Sequence, residues 1–155
     1  MTREHILENL SAQFPSLKFE IDENNPEAIF ISASALIETA AYLKSEAKLF
    51  FELLNFVSAV DYTDHFELIY QFSSYQNNHR LVLKIKISRE NPQIESLSAV
   101  YPTANWHERE VFDLFGVKFL NHPDLTRIFM PEDWEGHPMR KDFVHPNLIP
   151  MPEVD

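Results

Sequence analysis

The chain has 155 residues, 45% hydrophobic and 24% charged, with a formal net charge of -11. That composition describes one globular domain with room for a core. The acidity argues against a nucleic-acid backbone or an anionic lipid surface as the main partner. The lack of cysteine removes disulfides, thiolate metal sites, iron–sulfur ligation and a cysteine nucleophile together.

In chain order, Thr2 to Phe14 reads as a short amphipathic helix. Thr2 is its candidate cap, and Ile6, Leu10 and Phe14 share one face. No apolar h-region is present there, so no signal peptide is expected. Lys18 to Asp22 and Ala28 to Ser32 read as two strands around the turn Glu23-Asn24-Asn25-Pro26. Ser32 or Ser34 starts a second helix, with Leu36, Ala40, Leu43 and Ala47 as its buried stripe.

Three stronger strands follow. Leu53 to Val60 is mostly apolar and suits a strand buried on both faces. Phe66, Leu68, Tyr70 and Phe72 alternate with Glu67, Ile69 and Gln71, and Leu81, Leu83, Ile85 and Ile87 alternate with Val82, Lys84 and Lys86. Asp61 to Asp64 and Tyr75 to His79 are the hairpin connections. The Lys84/Lys86 face with Tyr70 is weak as a nucleic-acid platform and reads better as a solvated sheet face.

After Tyr101-Pro102, Asn105 is placed to cap a helix, with Glu108 in capping-box position. Val111, Leu114 and Phe115 give that helix its apolar face, Arg109 and Asp113 are i, i+4 neighbours, and Gly116 suits the left-handed position that ends it. Beyond it lies a Pro- and charge-rich ribbon, Met130 to Phe143, with little periodicity. Such a ribbon cannot bury its own backbone polar groups. Its Met, Trp and Arg are residue types enriched at interface cores, and the alternative is that it folds back with Trp134 in the core.

The fold expected is α+β: a two-layer sandwich, a mostly antiparallel sheet with helices on one face, plus an extended C-terminal arm. Residues 1–103 make the sheet part, and 104–155 the helix and partner-binding arm of the same domain. No catalytic constellation emerges. His107, His122, His137 and His145 follow Tyr101, but no HxxxH or HExxH pair exists, and three of them adjoin a proline. Glu108 and Glu110 are two apart on a helix and do not converge. No GxSxG or Gly-rich phosphate loop is present. A His-based metalloenzyme is the least favoured reading.

Several motifs together resemble a known family. They are Glu108-Arg109-Glu110-x-x-Asp113-Leu114-Phe115-Gly116, then His122-Pro123-Asp124-Leu125, Asp133-Trp134-Glu135-Gly136 and Arg140-Lys141-Asp142-Phe143. Upstream, Val60-Asp61-Tyr62, the His79-to-Ile87 strand and Ala104-Asn105-Trp106 extend the match to roughly Phe30 through Phe143. The chain resembles the C subunit of respiratory complex I, the proton-translocating NADH:quinone oxidoreductase, in its short form not fused to the D subunit. Thr126 stands where the family usually has a basic residue, and Phe129 where it usually has an aliphatic one.

The resemblance implies a protein that carries no flavin, iron–sulfur cluster or quinone of its own, and the histidine spacing gives no metal site. Flavin, clusters and quinone are expected on partner subunits. It implies docking on the D subunit, which is hydrogenase-large-subunit-like and helps form the quinone site, beside iron–sulfur subunits of the peripheral arm. The place implied is the cytoplasmic face of the bacterial inner membrane, with membrane association only through the complex. Glu108, Arg109, Glu110, Asp113, Gly116, His122, Pro123, Asp124, Arg127, Trp134, Glu135, Gly136, Arg140, Lys141 and Asp142 are then structural and interface residues, none of them catalytic. A related membrane-bound hydrogenase or NDH-type complex is the alternative machine.

Overall fold

A computed structural model describes residues 3–25 and 27–145. Helix α1 (Arg3–Gln13) leads into β1 (Glu20–Ile21) and β2 (Ala28–Phe30). A 3-10 turn (Ala33–Ala35) opens α2 (Leu36–Ser45), and β3 (Leu53–Asp61), β4 (His65–Ser74) and β5 (His79–Ser88) follow. Then come β6 (Gln93–Glu95), α3 (Ala104–Phe115) and β7 (Lys118–Leu120). Two residues of the sequence reading, the candidate cap Thr2 and the turn residue Pro26, lie outside the described residues.

Five strands form one sheet in the order β1-β2-β5-β4-β3. All its pairings are antiparallel except β2 with β5, which is parallel. The parallel pair requires a crossover, and α2, β3 and β4 supply it. The alternation read in β4 and β5 sets the register: Phe66, Leu68, Tyr70 and Phe72 face Ile87, Ile85, Leu83 and Leu81, all buried. Ile6 and Leu10 of α1, Leu36, Ala40 and Leu43 of α2, and Ala104 and Val111 of α3 join these residues in a single core. The two-layer α+β expectation therefore holds.

Four local expectations need correction. Leu53 to Val60 is not buried on both faces. As β3 it is an edge strand whose outward positions Asn55, Ser58 and Val60 are exposed, and a register shift between Leu54 and Phe56 resets its alternation. Ala47 is exposed and outside α2, because the helix stops at Ser45 and the chain turns through Phe50 at φ 37°. Thr39 takes the stripe position instead. Tyr70 lies on the opposite face from Lys84 and is fully buried. Lys84 is no solvated cation either: Asp22 and Glu67 hold it at 2.7 and 2.9 Å.

The fourth correction concerns α3. Its N-cap is Thr103, with no side-chain cap, and Asn105 already sits within the first turn. Glu108 does not reach back to a capping amide. Ala104, Glu108 and Val111 fall at i, i+4, i+7, so Glu108 lies on the buried stripe. At the other end the expectation holds: Gly116 closes α3 in the left-handed region at φ 76°. A β-carbon there would fall 2.5 Å from His137 Cδ2, so glycine is required by backbone angle and by space.

The paired strands β6 and β7 have no counterpart in the sequence pattern. They are three residues each and parallel, with Ile94 beside Phe119. They tie the segment before α3 to the one after it, and so fix where the arm begins.

Candidate functional site: the arm and its anchors

The arm leaves β7 at Asn121, which turns at φ 59°. His122 is wedged at its root. The ring Nε2 lies 3.1 Å from the Asn105 carbonyl, and Nδ1 accepts the Asp124 amide at 3.0 Å. One nitrogen must donate and the other accept, which sets the tautomer with the proton on Nε2.

Arg109 reaches from α3 to the next stretch of arm. It donates to the Thr126 carbonyl at 3.1 Å and to Thr126 Oγ1 at 2.8 Å, while its guanidinium lies 4.8 Å over the Trp106 ring. The expected i, i+4 pairing of Arg109 with Asp113 does not form. Thr126 supplies the hydroxyl that Arg109 uses.

Asp113 is the main anchor. It is fully buried, and its Oδ2 accepts the amides of Ile128, Phe129 and Met130 at 3.0, 2.7 and 3.0 Å. Its Oδ1 meets Arg127 at 3.0 Å, and Arg127 also donates to the Gly136 carbonyl. Three successive amides aimed at one oxygen form an anion nest, here filled by the protein's own carboxylate. Burial pushes the Asp113 carboxyl up, but the amides of Met130, Phe129 and Ile128 with Arg127 outweigh it and hold it below the usual range. The ribbon, which cannot satisfy its own backbone, borrows a side chain from α3 to do so.

Further along, His137 Nδ1 lies 2.9 Å from the Asp113 carbonyl and the Met139 amide donates to Leu114. The last anchor is at the sheet. Asp61, 5% exposed at the end of β3, accepts the Lys141 amide at 2.7 Å and pairs with Arg89. Arg89 in turn holds Asp142 at 2.8 Å, and the guanidinium groups of Arg89 and Arg140 lie 5.3 and 5.2 Å over the Phe66 ring. Arg89 is the first cause of the lowered Asp142 carboxyl.

Trp134 is not in the core. It stacks within the arm, 4.7 Å from His145 and 6.3 Å from Phe143. Gly136 bends the chain beneath this stack at φ 83°. Pro123, Asp124, Glu135, Gly136, Lys141 and Asp142 are exposed, Glu110 is half-buried, and Glu108, Asp113 and Arg127 serve inside the chain. The histidines of this region do not converge. Among the described residues no group of three or more acids or histidines could hold a metal ion.

Sequence reasoning missed two features. Asp61 and Arg89 carry no signal in periodicity or spacing that marks them as anchors, and nothing in an aspartate at a strand end points to a partner amide 80 residues away. The second feature is the outward set Trp106, Phe129, Met139 and Val144, which are 63%, 58%, 56% and 87% exposed on and beside the arm. Large apolar side chains held outward on a fixed backbone are features of a docking surface.

A family model described as the respiratory-chain NADH dehydrogenase, 30 Kd subunit, matches residues 29–147. The C subunit of NADH-quinone oxidoreductase from Roseiflexus castenholzii is 39% identical over 141 residues, which is 88% of this chain and 81% of that one. The C subunit from Herpetosiphon aurantiacus is 41% identical over 142 residues, covering 90% and 81%, and that from Trichlorobacter lovleyi 41% over 142, covering 88% and 86%. Two solved structures share the fold. One, described as Nqo5 of the trypsin-resistant fragment (1-134), has a TM-score of 0.63 at 23% identity, covering 81% of this chain and all of that one. The other, from the membrane-bound sulfane sulfur reductase, an archaeal respiratory membrane complex, has a TM-score of 0.74 at 23% identity, covering 91% and 85%.

Proposed function

Since this chain belongs to the family of the 30 kDa (C) subunit of NADH-quinone oxidoreductase, we propose that it is a cofactor-free docking protein whose arm packs against the D subunit. In this reading it supports electron transfer from NADH to quinone by holding the D subunit and its iron–sulfur neighbours in register. It performs no bond-making step itself. Flavin, clusters and quinone belong to the partners. The complex places it peripherally, on the cytoplasmic face of a bacterial inner membrane. No helix among the described residues is long and apolar enough to cross a membrane.

The observation that carries this reading is the contrast within the arm. Its backbone is tied inward to Asp113 and Asp61, while Phe129, Met139 and Val144 point outward. Anchors carried on a backbone already ordered before binding cost less entropy on docking, which raises affinity for a given area. Apolar anchors supply the binding energy, and the surrounding Asp124, Glu135 and Lys141 set orientation and partner choice.

The test is co-purification from solubilised native membranes. Tagged wild-type chain should bring down the D and cluster-bearing subunits with NADH:quinone activity. Phe129→Asp with Met139→Asp should lose the D subunit while the free chain unfolds at an unchanged denaturant concentration. Undiminished capture by that double variant would refute the reading. A second reading keeps the family and changes the machine: the equivalent subunit of a related membrane-bound hydrogenase or NDH-type complex, since the same fold occurs in a chain of an archaeal respiratory membrane complex. Capture of hydrogenase-type subunits in place of NADH-input subunits would select it.

A further inference from the structure

Glu108 has no part in docking, because its side chain is wholly inside the chain. Its Oε1 accepts the Leu97 amide at 2.7 Å, and its Oε2 lies 2.5 Å from Ser96 Oγ. Ser96 Oγ is also placed as donor to Ser98 Oγ at 2.7 Å, and it accepts the Ser98 amide. Ser96 has one hydroxyl proton and two acceptors in front of it. Every contact is satisfied if Glu108 carries a proton and donates to Ser96, which then donates to Ser98.

Among the described residues no lysine or arginine pairs with Glu108. His122 faces Glu108 from the root of the arm, with Nε2 at 3.8 Å from Oε2, too far for a hydrogen bond. Its Nε2–H is committed to the Asn105 carbonyl and its Nδ1 to the Asp124 amide. From β4, Tyr70 faces the same space, its hydroxyl buried without a partner. From α3 itself, Arg109 turns away to Thr126. Burial, against the pull of Ser96 and Leu97, pushes the Glu108 carboxyl up to about 7.

We propose that Glu108, Ser96 and His122 form a buried proton-binding site joining α3 to the root of the arm, with Glu108 held as a neutral acid. Loss of that proton gives Ser96's hydroxyl to Glu108, breaks the Ser96–Ser98 bond and sets a negative charge beside the His122 N–H. The arm's root is then remodelled by pH.

The carboxyl carbon of Glu108, followed by carbon-13 NMR in the full chain, tests this directly. A midpoint near 7 is expected, and a midpoint in the ordinary carboxylate range overturns the proposal. The Ser98 and Asp124 amide signals should move with the same midpoint, and signals that stay fixed overturn the coupling to the arm. Glu108→Gln mimics the neutral acid. The wild-type folding equilibrium should weaken by up to about tenfold per pH unit as pH rises from about 5 towards 7, and the variant should lack that slope. Equal slopes in both proteins would also count against the site.

Discussion

In the sheet, Phe66, Leu68, Tyr70 and Phe72 of one strand are all fully buried, and stability is spread over many apolar contacts. In the arm, three successive amides hang on one oxygen of Asp113, and a fourth hangs on Asp61. A sheet held by area tolerates local change in proportion to the atoms removed. A ribbon held by a few buried carboxylates does not. Removing one anchor strands several polar groups at once, and the damage stays close to the anchor.

The largest effect should come from Asp113→Ala, which leaves Arg127 and three amides without their acceptor. It should cost about 3–5 kcal/mol, read as lost hydrogen-exchange protection at residues 128–130 with the β4 and β5 amides still protected. Leu68→Ala provides the opposite case. It should cost about 2–5 kcal/mol, but as a single cooperative loss across sheet and helices. If both variants unfold the whole chain together, the arm and sheet are one unit and the contrast fails.

Gly116→Ala comes next, because it forces a β-carbon onto the His137 ring in a left-handed backbone. About 1–3 kcal/mol is expected, measured by urea unfolding. Asp61→Asn should cost about 1–3 kcal/mol through weaker bonds to Arg89 and the Lys141 amide, and should free the Trp134 end of the arm, seen by fluorescence in a Trp106→Phe background. Thr126→Val removes one exposed acceptor from Arg109 and should shift stability by less than about 1 kcal/mol.

Two acids five residues apart on α3 should also contribute to stability with opposite pH dependence. The folded Asp113 carboxyl lies below its usual range, so its contribution is full above the unfolded value of about 3.9 and is lost as pH falls through the lower folded value. Glu108 is raised to about 7, so its contribution is full below the unfolded value and is lost as pH rises towards 7. Acid should therefore release the arm at residues 128–130, while a rise through neutral pH should disturb its root.

The same division explains what the sequence could and could not disclose. Period-two alternation in Phe66 to Phe72 and Leu81 to Ile87 is a local signal, and it located both strands and their inner faces. The 3.6-residue stripe of α3 was equally local, yet it includes Glu108. Reading Glu108 as a capping residue mistook an acid on the buried face for an acid at the helix start. The strands β6 and β7 escaped because three residues carry no period and their pairing is not local. The anchors of the arm are contacts between distant positions, Asp113 with residues 127–130 and Asp61 with Lys141, and no spacing rule predicts them. The family resemblance marked Asp113 and Arg127 as important without saying that they serve each other.

Amide hydrogen exchange on the isolated chain tests most directly whether the arm is built before any partner arrives. Protection at Ile128, Phe129, Met130 and Lys141, lost at residues 128–130 in Asp113→Ala, is the predicted result. Exchange at those four amides as fast as in an unstructured peptide would contradict the account.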